Sequence, residues 1–188
     1  MRATTHFAPS TCGRVITLRC TARLQRLLGL AADPIDTPST SRLGDWYGTF
    51  LTTRPRHLAI CVNERSLLTI ILPLAPRPGF LLRFQATAAA RIAHIPAPQS
   101  TLHAETMALA SPRVGATRNR SVLGSLNNLR YLALTHLARE PHIGIEALSS
   151  ALCDTPMLSM ACVFPWEQAT ILLGGDVDAA RHKILDAT

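Results

Sequence analysis

Residues 45–62 read DWYGTFLTTRPRHLAICV and contain two runs rich in aromatic and β-branched side chains. The first run covers residues 45–52 and the second covers residues 57–62. Both have the composition of β-strands, and Arg54-Pro55-Arg56 lies between them as a predicted hairpin turn. Two strands joined by a short turn pair in antiparallel fashion. This stretch therefore predicts a fold built on a small antiparallel sheet.

The second half of the chain has the periodicity of helices. Apolar residues recur at helical spacing from Val122 to Leu137, and Ser121 or Asn119 can cap the start. Further helices are predicted at residues 80–95, 144–152 and 166–173. Early strands followed by helices indicate an α+β fold, in which the sheet packs against several helices.

The remaining segments complete a single domain at residues 15–173. A strand at residues 15–20 runs into a helix that Thr21 caps and Gly29 ends. Periodicity leaves residues 67–72 open between a strand and a short helix, and one more edge strand is expected within residues 107–117. Residues 1–14 are predicted to be a flexible leader and residues 174–188 a tail.

The chain is basic, with a formal net charge of +7 and a pI near 9.9. Lys183 is the sole lysine among its 19 basic residues, and this arginine-rich usage is typical of a GC-rich genome. The arginines are scattered, with Arg118-Asn119-Arg120 the densest point, and form no run that would track phosphates. Nucleic acid is therefore an open but not a favoured partner.

No apolar stretch reaches the roughly 18 residues that a membrane span needs, and the N-terminus lacks the pattern of a signal peptide. We therefore expect a cytoplasmic protein without membrane contact. The five cysteines form no C-x-x-C pair, and the seven histidines are dispersed. No glycine-rich nucleotide motif is present either. The sequence thus predicts no metal site and no cofactor.

Several segments, taken in order, resemble a bacterial family of unknown function. They are residues 18–21 with Leu24, residues 42–47, 54–55, 58–62, 63–68, 119–128 and 148–156. The resemblance covers roughly residues 15–173. It implies a small cytoplasmic bacterial protein, in a family with no established activity.

The chain departs from the pattern of that family in three places. Gly48-Thr49 stands where Ala-Asn is usual, and Asn128-Leu129 stands where Asp-Phe is usual. The segment 86–110 is short of helical pattern and of acidic residues. A function that depends on the usual Asn or Asp would be lost or altered in this chain.

The first candidate site is the start of the helix near residue 120. It comprises residues 117–121, including Asn119, Arg120 and Ser121, with Ser125 and Asn127 in the following turns. Free backbone N–H groups, the helix dipole and neighbouring arginines suit an anion. The alternative is a cap, in which Asn119 and Ser121 satisfy the amides and Gly124 allows close packing.

Two further candidates lie in the early strands. Trp46 and Tyr47 point to opposite faces of their strand, so we expect one in the core and the other exposed or half-buried. In this candidate, Asp45-Trp46-Tyr47, an exposed aromatic side chain beside Asp45 would be a binding anchor. The alternative is that Trp46 packs in the core with its N–H paired. Glu64, in the turn Asn63-Glu64-Arg65-Ser66, would flank a polar pocket, although acid–base chemistry needs a second positioned group. No catalytic residue is assigned.

The leading hypothesis is a non-enzymatic binding module whose partner is a protein or a small anionic ligand. The second hypothesis is nucleic-acid binding through arginines around Arg118 and Arg120. The third is an enzyme for a phosphate- or carboxylate-bearing substrate, held by Arg120, Ser121 and Asn127 near Glu64. The third hypothesis requires these side chains to meet in one pocket.

Overall fold

The computed structural model describes residues 15–34, 39–53, 57–157 and 163–186, with the backbone alone from residue 182 onward. The predicted leader at residues 1–14 and the predicted turn at residues 54–56 lie outside the described residues. The strands are β1 (Thr17–Cys20), β2 (Trp46–Thr52), β3 (His57–Asn63), β4 (Thr69–Pro73) and β5 (Arg113–Ala116). The helices are α1 (Ala22–Leu28), α2 (Phe80–Ala93), α3 (Gln99–Ala108), α4 (Arg120–Arg139), α5 (Ile145–Cys153), α6 (Pro165–Leu172) and α7 (Val177–Asp186).

The five described strands form one sheet in the order β4-β3-β2-β1-β5. Strands β2, β3 and β4 pair antiparallel, and Thr52 pairs with His57 at the turn end of the predicted hairpin. Strand β1 instead pairs parallel with both β2 and β5. The α+β class is confirmed, but the sheet is mixed rather than wholly antiparallel. The reason is that α1 lies between β1 and β2 in the chain, and helical crossovers join parallel strands.

Helices cover both faces of the sheet. One face carries Trp46 and Phe50 into an apolar cluster with α1, α2 and α3, and the other carries Tyr47 and Leu51 into a cluster with α4 and α5. Alternation along β2 separates these side chains, as predicted. Both Trp46 and Tyr47 are fully buried. The expectation that one of them is exposed or half-buried is therefore wrong, because neither face of the sheet at β2 is open to solvent.

Local capping follows the sequence closely. The Thr21 hydroxyl accepts from the backbone N–H of Leu24 at the start of α1, and Gly29 ends this helix with a φ of 66°. At α4, Asn119 is the cap rather than Ser121. Gly124 is exposed, and a Cβ added to it would meet no other atom within 4 Å, so close packing is not its role.

Two helices lie where the sequence pattern predicted none. Helix α3 lies within the segment 86–110, where the sequence shows little helical pattern because the buried face of the helix includes the carboxylate of Glu105. Glu105 accepts hydrogen bonds from the Ser41 hydroxyl and from the backbone N–H of Arg42. Together α2 and α3 fill most of the segment 86–110, which is therefore not short of helix.

Helix α7 lies within residues 174–188, the stretch predicted to be a tail. Asp176 caps its start by accepting from the N–H groups of Asp178 and Ala179, and Ala180 is buried. Asp176 is therefore the cap of a helix rather than part of a tail. In the segment left open between strand and helix, residues 69–73 form strand β4.

Candidate functional site

A cluster of polar side chains lies at the end of the sheet where β1 and β2 begin and β3 ends. We call it the polar network, and its members are Arg19, Asp45, Tyr47, Glu64, Arg118 and Asn119. Arg19 and Tyr47 are partners in the register of β1 and β2, so their side chains share one face. The two acidic residues adjoin the strand ends, and Arg118 and Asn119 directly precede α4.

Asp45 is the buried centre of the network. One carboxylate oxygen, Oδ2, accepts from Nε of Arg19 at 2.6 Å, and the other, Oδ1, accepts from the backbone N–H of Thr17 at 3.0 Å. Arg19 also donates to the carbonyl of Ala116 at 3.1 Å. Nη2 of Arg118 lies 3.6 Å from Asp45 Oδ2. A carboxylate with no exposed surface is thus compensated by two guanidinium groups.

Glu64 joins the end of β3 to β2 and α4. Its Oε2 accepts from the backbone N–H of Asp45 at 3.2 Å, and the backbone N–H of Glu64 donates to the Asp45 carbonyl at 2.8 Å. Its Oε1 accepts from the Tyr47 hydroxyl and from Nδ2 of Asn119, each at 3.4 Å. One half-buried carboxylate therefore fixes the relative positions of three elements.

The Tyr47 hydroxyl is held in its neutral form. Burial raises the pKa of Tyr47 above its ordinary value, and the negative charge of Glu64 raises it further. The charges of Arg19 and Arg118 lower this pKa by smaller amounts. At neutral pH the hydroxyl is a hydrogen-bond donor to Glu64 and carries no charge.

The structure brings together only part of the predicted site. Glu64 meets Asn119, whose Oδ1 also accepts from the N–H groups of Ser121 and Val122 at 3.1 and 3.3 Å. Arg120 and Ser121 are exposed in the first turn of α4 beside this contact.

The other predicted residues lie apart from that contact. Ser125 is half-buried and Asn127 is exposed further along α4, and Asn127 is about 10 Å from the helix start at 1.5 Å per residue. Trp46 lies on the opposite face of the sheet, with its ring 5.8 Å from that of Phe84. Its buried Nε1 has no hydrogen-bond partner among the described residues, so the expected pairing of this N–H is not found.

Sequence reasoning did not bring these residues together: Asp45 and Tyr47 belonged to one candidate, Arg118 belonged to another, and Arg19 belonged to none. The available signal was a charged residue inside a strand, since Arg19 interrupts an otherwise apolar and β-branched run. Each of the three residues Arg19, Asp45 and Tyr47 also lies in a segment that carries the family resemblance. The structure therefore gathers these segments at one end of the sheet.

Metal and thiol chemistry find no support in the described part of the chain. No three His, Cys, Asp or Glu side chains there lie close enough to hold a metal ion. Burial raises the pKa of Cys20 to about 12, and it also raises the pKa values of the Cys61 and Cys153 thiols. The thiolate is the reactive form of cysteine. These three buried thiols are consequently poor nucleophiles.

We expect Cys20, Cys61 and Cys153 to resist alkylation in the folded protein. Iodoacetamide at about pH 8 should modify them only after guanidinium is added, because burial excludes the reagent and disfavours the thiolate. Peptide mapping by mass spectrometry reads each cysteine separately. Labelling of any of the three at the same rate in the native and the denatured protein would contradict this assignment.

Among the residues described, none of the helices has the length and apolar character needed to cross a membrane.

Comparison with known proteins places the chain in a family. No curated protein and no solved structure matches it. A family model described as Domain of unknown function (DUF6933) matches residues 17–168, which include every residue of the polar network. The resemblance seen in the sequence is thereby confirmed. Because the match spans most of the chain, this protein belongs to the DUF6933 family of domains of unknown function.

Proposed function

We propose that the protein is a non-enzymatic binding module that holds a small oxyanion, a carboxylate or a phosphate, at the start of α4. The observation that carries the proposal is the placement of two arginines at this helix end. Arg118 directly precedes the cap and is 42% exposed, and Arg120 is exposed in the first turn. The positive end of the helix dipole adds to their charge.

The network holds Arg118 in a fixed position. Its guanidinium lies 3.6 Å from Asp45, which is itself anchored by Arg19, and its positive charge lowers the pKa of the nearby Tyr47 hydroxyl. An arginine whose side chain is already ordered loses less conformational entropy when an anion arrives. The buried part of the network thus supports the exposed part.

Guanidinium groups rather than backbone amides would donate the hydrogen bonds that hold the anion. The Asn119 side chain already occupies the N–H groups of Ser121 and Val122, so the first turn offers fewer donors than an uncapped helix. Arg120 carries planar N–H donors that match the two oxygens of a carboxylate or phosphate. We therefore assign the main contact to Arg120.

The carboxylates favour binding over proton transfer. Both oxygens of Asp45 and both oxygens of Glu64 accept hydrogen bonds from neighbouring residues. A general base needs a lone pair directed at a substrate. The internal bonding of these two groups supports a structural role for them.

We expect phosphate and acetate to bind the protein saturably, and Arg120→Gln to weaken that binding by roughly 10- to 100-fold, because a hydrogen bond to a charged group contributes about 1.5–3 kcal/mol. Titration calorimetry at constant ionic strength, with chloride as the reference ion, measures the effect. Arg139→Gln removes the same charge from the exposed far end of the same helix and is the matched control. Equal losses in the two variants, or no saturable binding of either anion, would overturn the proposal.

A further inference from the structure

A groove lies at the opposite end of β2 and β3 from the polar network. It runs between α1, the end of β2 and the segment that follows β4, and it encloses a volume of about 470 Å³. Its apolar floor is formed by Leu27, Leu28, Phe50 and Leu74. Cavities of this size hold small molecules in other proteins.

The ionisable side chains that line the groove are all basic. Arg23, His57 and Arg77 are exposed at its rim, and none of its described lining residues is acidic. The guanidinium carbon of Arg23 lies 4.0 Å from the centroid of the Phe50 ring. Stacking on an aromatic face orders a guanidinium and leaves the N–H groups at its edge able to bind an anion.

The segment that carries Arg77 is held by hydrogen bonds from Arg83. The Arg83 guanidinium donates to the carbonyl of Pro76 at 2.5 Å, to that of Pro78 at 3.3 Å and to that of Pro73 at 3.4 Å. Several backbone carbonyls of the loop between β4 and α2 therefore share one cation. A wall fixed in this way favours a groove that is formed before its ligand binds.

We propose that this groove is a second binding site, for a small apolar acid. The apolar body of the ligand would pack against Phe50 and Leu74, and its carboxylate or phosphate would lie between Arg23 and Arg77. Charge complementarity supports this assignment, since an apolar floor with a purely basic rim matches a molecule with one apolar and one anionic end. The site is separate from the one proposed at α4 and does not depend on it.

The two ends of the ligand can be tested separately on the full chain. We expect 1-naphthoate and 1-naphthyl phosphate to bind at least roughly tenfold more tightly than the neutral 1-naphthalenemethanol, as measured by titration calorimetry. Arg23→Gln should weaken binding of the acids roughly tenfold and change that of the alcohol little. Comparison of the two acids shows which anionic head the groove prefers.

Two further variants make the result decisive. Arg77 lies on an exposed loop, so Arg77→Gln should reproduce the loss of acid binding even if Arg23→Gln disturbs α1. Arg139→Gln removes the same charge elsewhere and should leave naphthoate binding unchanged. Equal affinities for the acid and the alcohol, no binding of either acid at millimolar concentration, or equal losses in Arg23→Gln, Arg77→Gln and Arg139→Gln would overturn the proposal. If naphthoate binding is lost in Arg120→Gln but retained in Arg23→Gln and Arg77→Gln, the acid binds at α4, and this outcome also excludes the groove.

Discussion

Replacing Asp45 with asparagine is expected to lower the free energy of unfolding by about 3–5 kcal/mol, because it leaves the buried Arg19 cation without its partner charge. The side chains of Arg19 and Asp45 are 3% and 0% exposed, and Nε donates to Oδ2 at 2.6 Å. Asparagine preserves the shape of the side chain but not its charge. Urea unfolding followed by circular dichroism measures the loss.

An ion pair whose acidic partner is exposed provides the control for this prediction. Nη2 of Arg91 lies 2.5 Å from Oε1 of Glu146, but the Glu146 side chain is 76% exposed. The Arg91 side chain is 13% exposed, but water solvates the Glu146 carboxylate, so the pair should contribute only about 0–1 kcal/mol and Glu146→Gln should cost little. If Asp45→Asn costs no more than Glu146→Gln, the assignment of Asp45 as the buried centre of the network is wrong.

A double variant separates the net contribution of the ion pair from the cost of leaving one buried charge unpaired. Arg19→Met together with Asp45→Asn should lose less stability than the sum of the two single variants, because neither charge is then left alone. Apolar residues in place of a buried ion pair are often as stable as the pair. Retention of such a pair is therefore weak evidence for stability. The Arg19–Asp45 pair is better explained by a role in positioning Arg118 and the start of α4, as the proposed function requires.

The sequence predicts best those elements that local patterns determine. The hairpin of β2 and β3 follows from two β-rich runs around a short turn, and α4 follows from its long apolar period. Helix α3 is missed because Glu105 lies on its buried face, where the pattern requires an apolar residue. The bonds that Glu105 makes to Ser41 and Arg42, 64 and 63 positions away, cannot be read from that stretch.

The site is predictable to a similar degree. Asn119 and Glu64 stand out because caps and turns have recognisable chemistry. The link between Arg19 and Asp45 depends on the parallel register of β1 and β2, which local patterns do not specify. The basic groove is also not apparent in the sequence, since Arg23 and Arg77 are separated by 54 positions that only the folded sheet brings together.

The second large effect on stability is expected at Gly175, in the connection between α6 and α7. Replacing Gly175 with alanine should lower the free energy of unfolding by about 3 kcal/mol, the cost of inserting a methyl group where the packing leaves no room. A Cβ at this position would lie 2.0 Å from the carbonyl oxygen of Pro96 and 2.8 Å from Cγ2 of Thr170. The first contact is with backbone, which cannot rotate away as a flexible side chain can.

The same substitution at Gly124 should have the opposite sign. Nothing lies within 4 Å of a Cβ there, and alanine in the exposed interior of α4 should stabilise the protein by about 0.5–1 kcal/mol. Each variant gains one methyl group. Thermal unfolding of the two variants therefore compares a steric clash at residue 175 with a gain in helix propensity at residue 124. If Gly175→Ala is as stable as the parent protein, the segment leading into α7 does not pack against Pro96, and residues 174–188 are the tail that the sequence suggested.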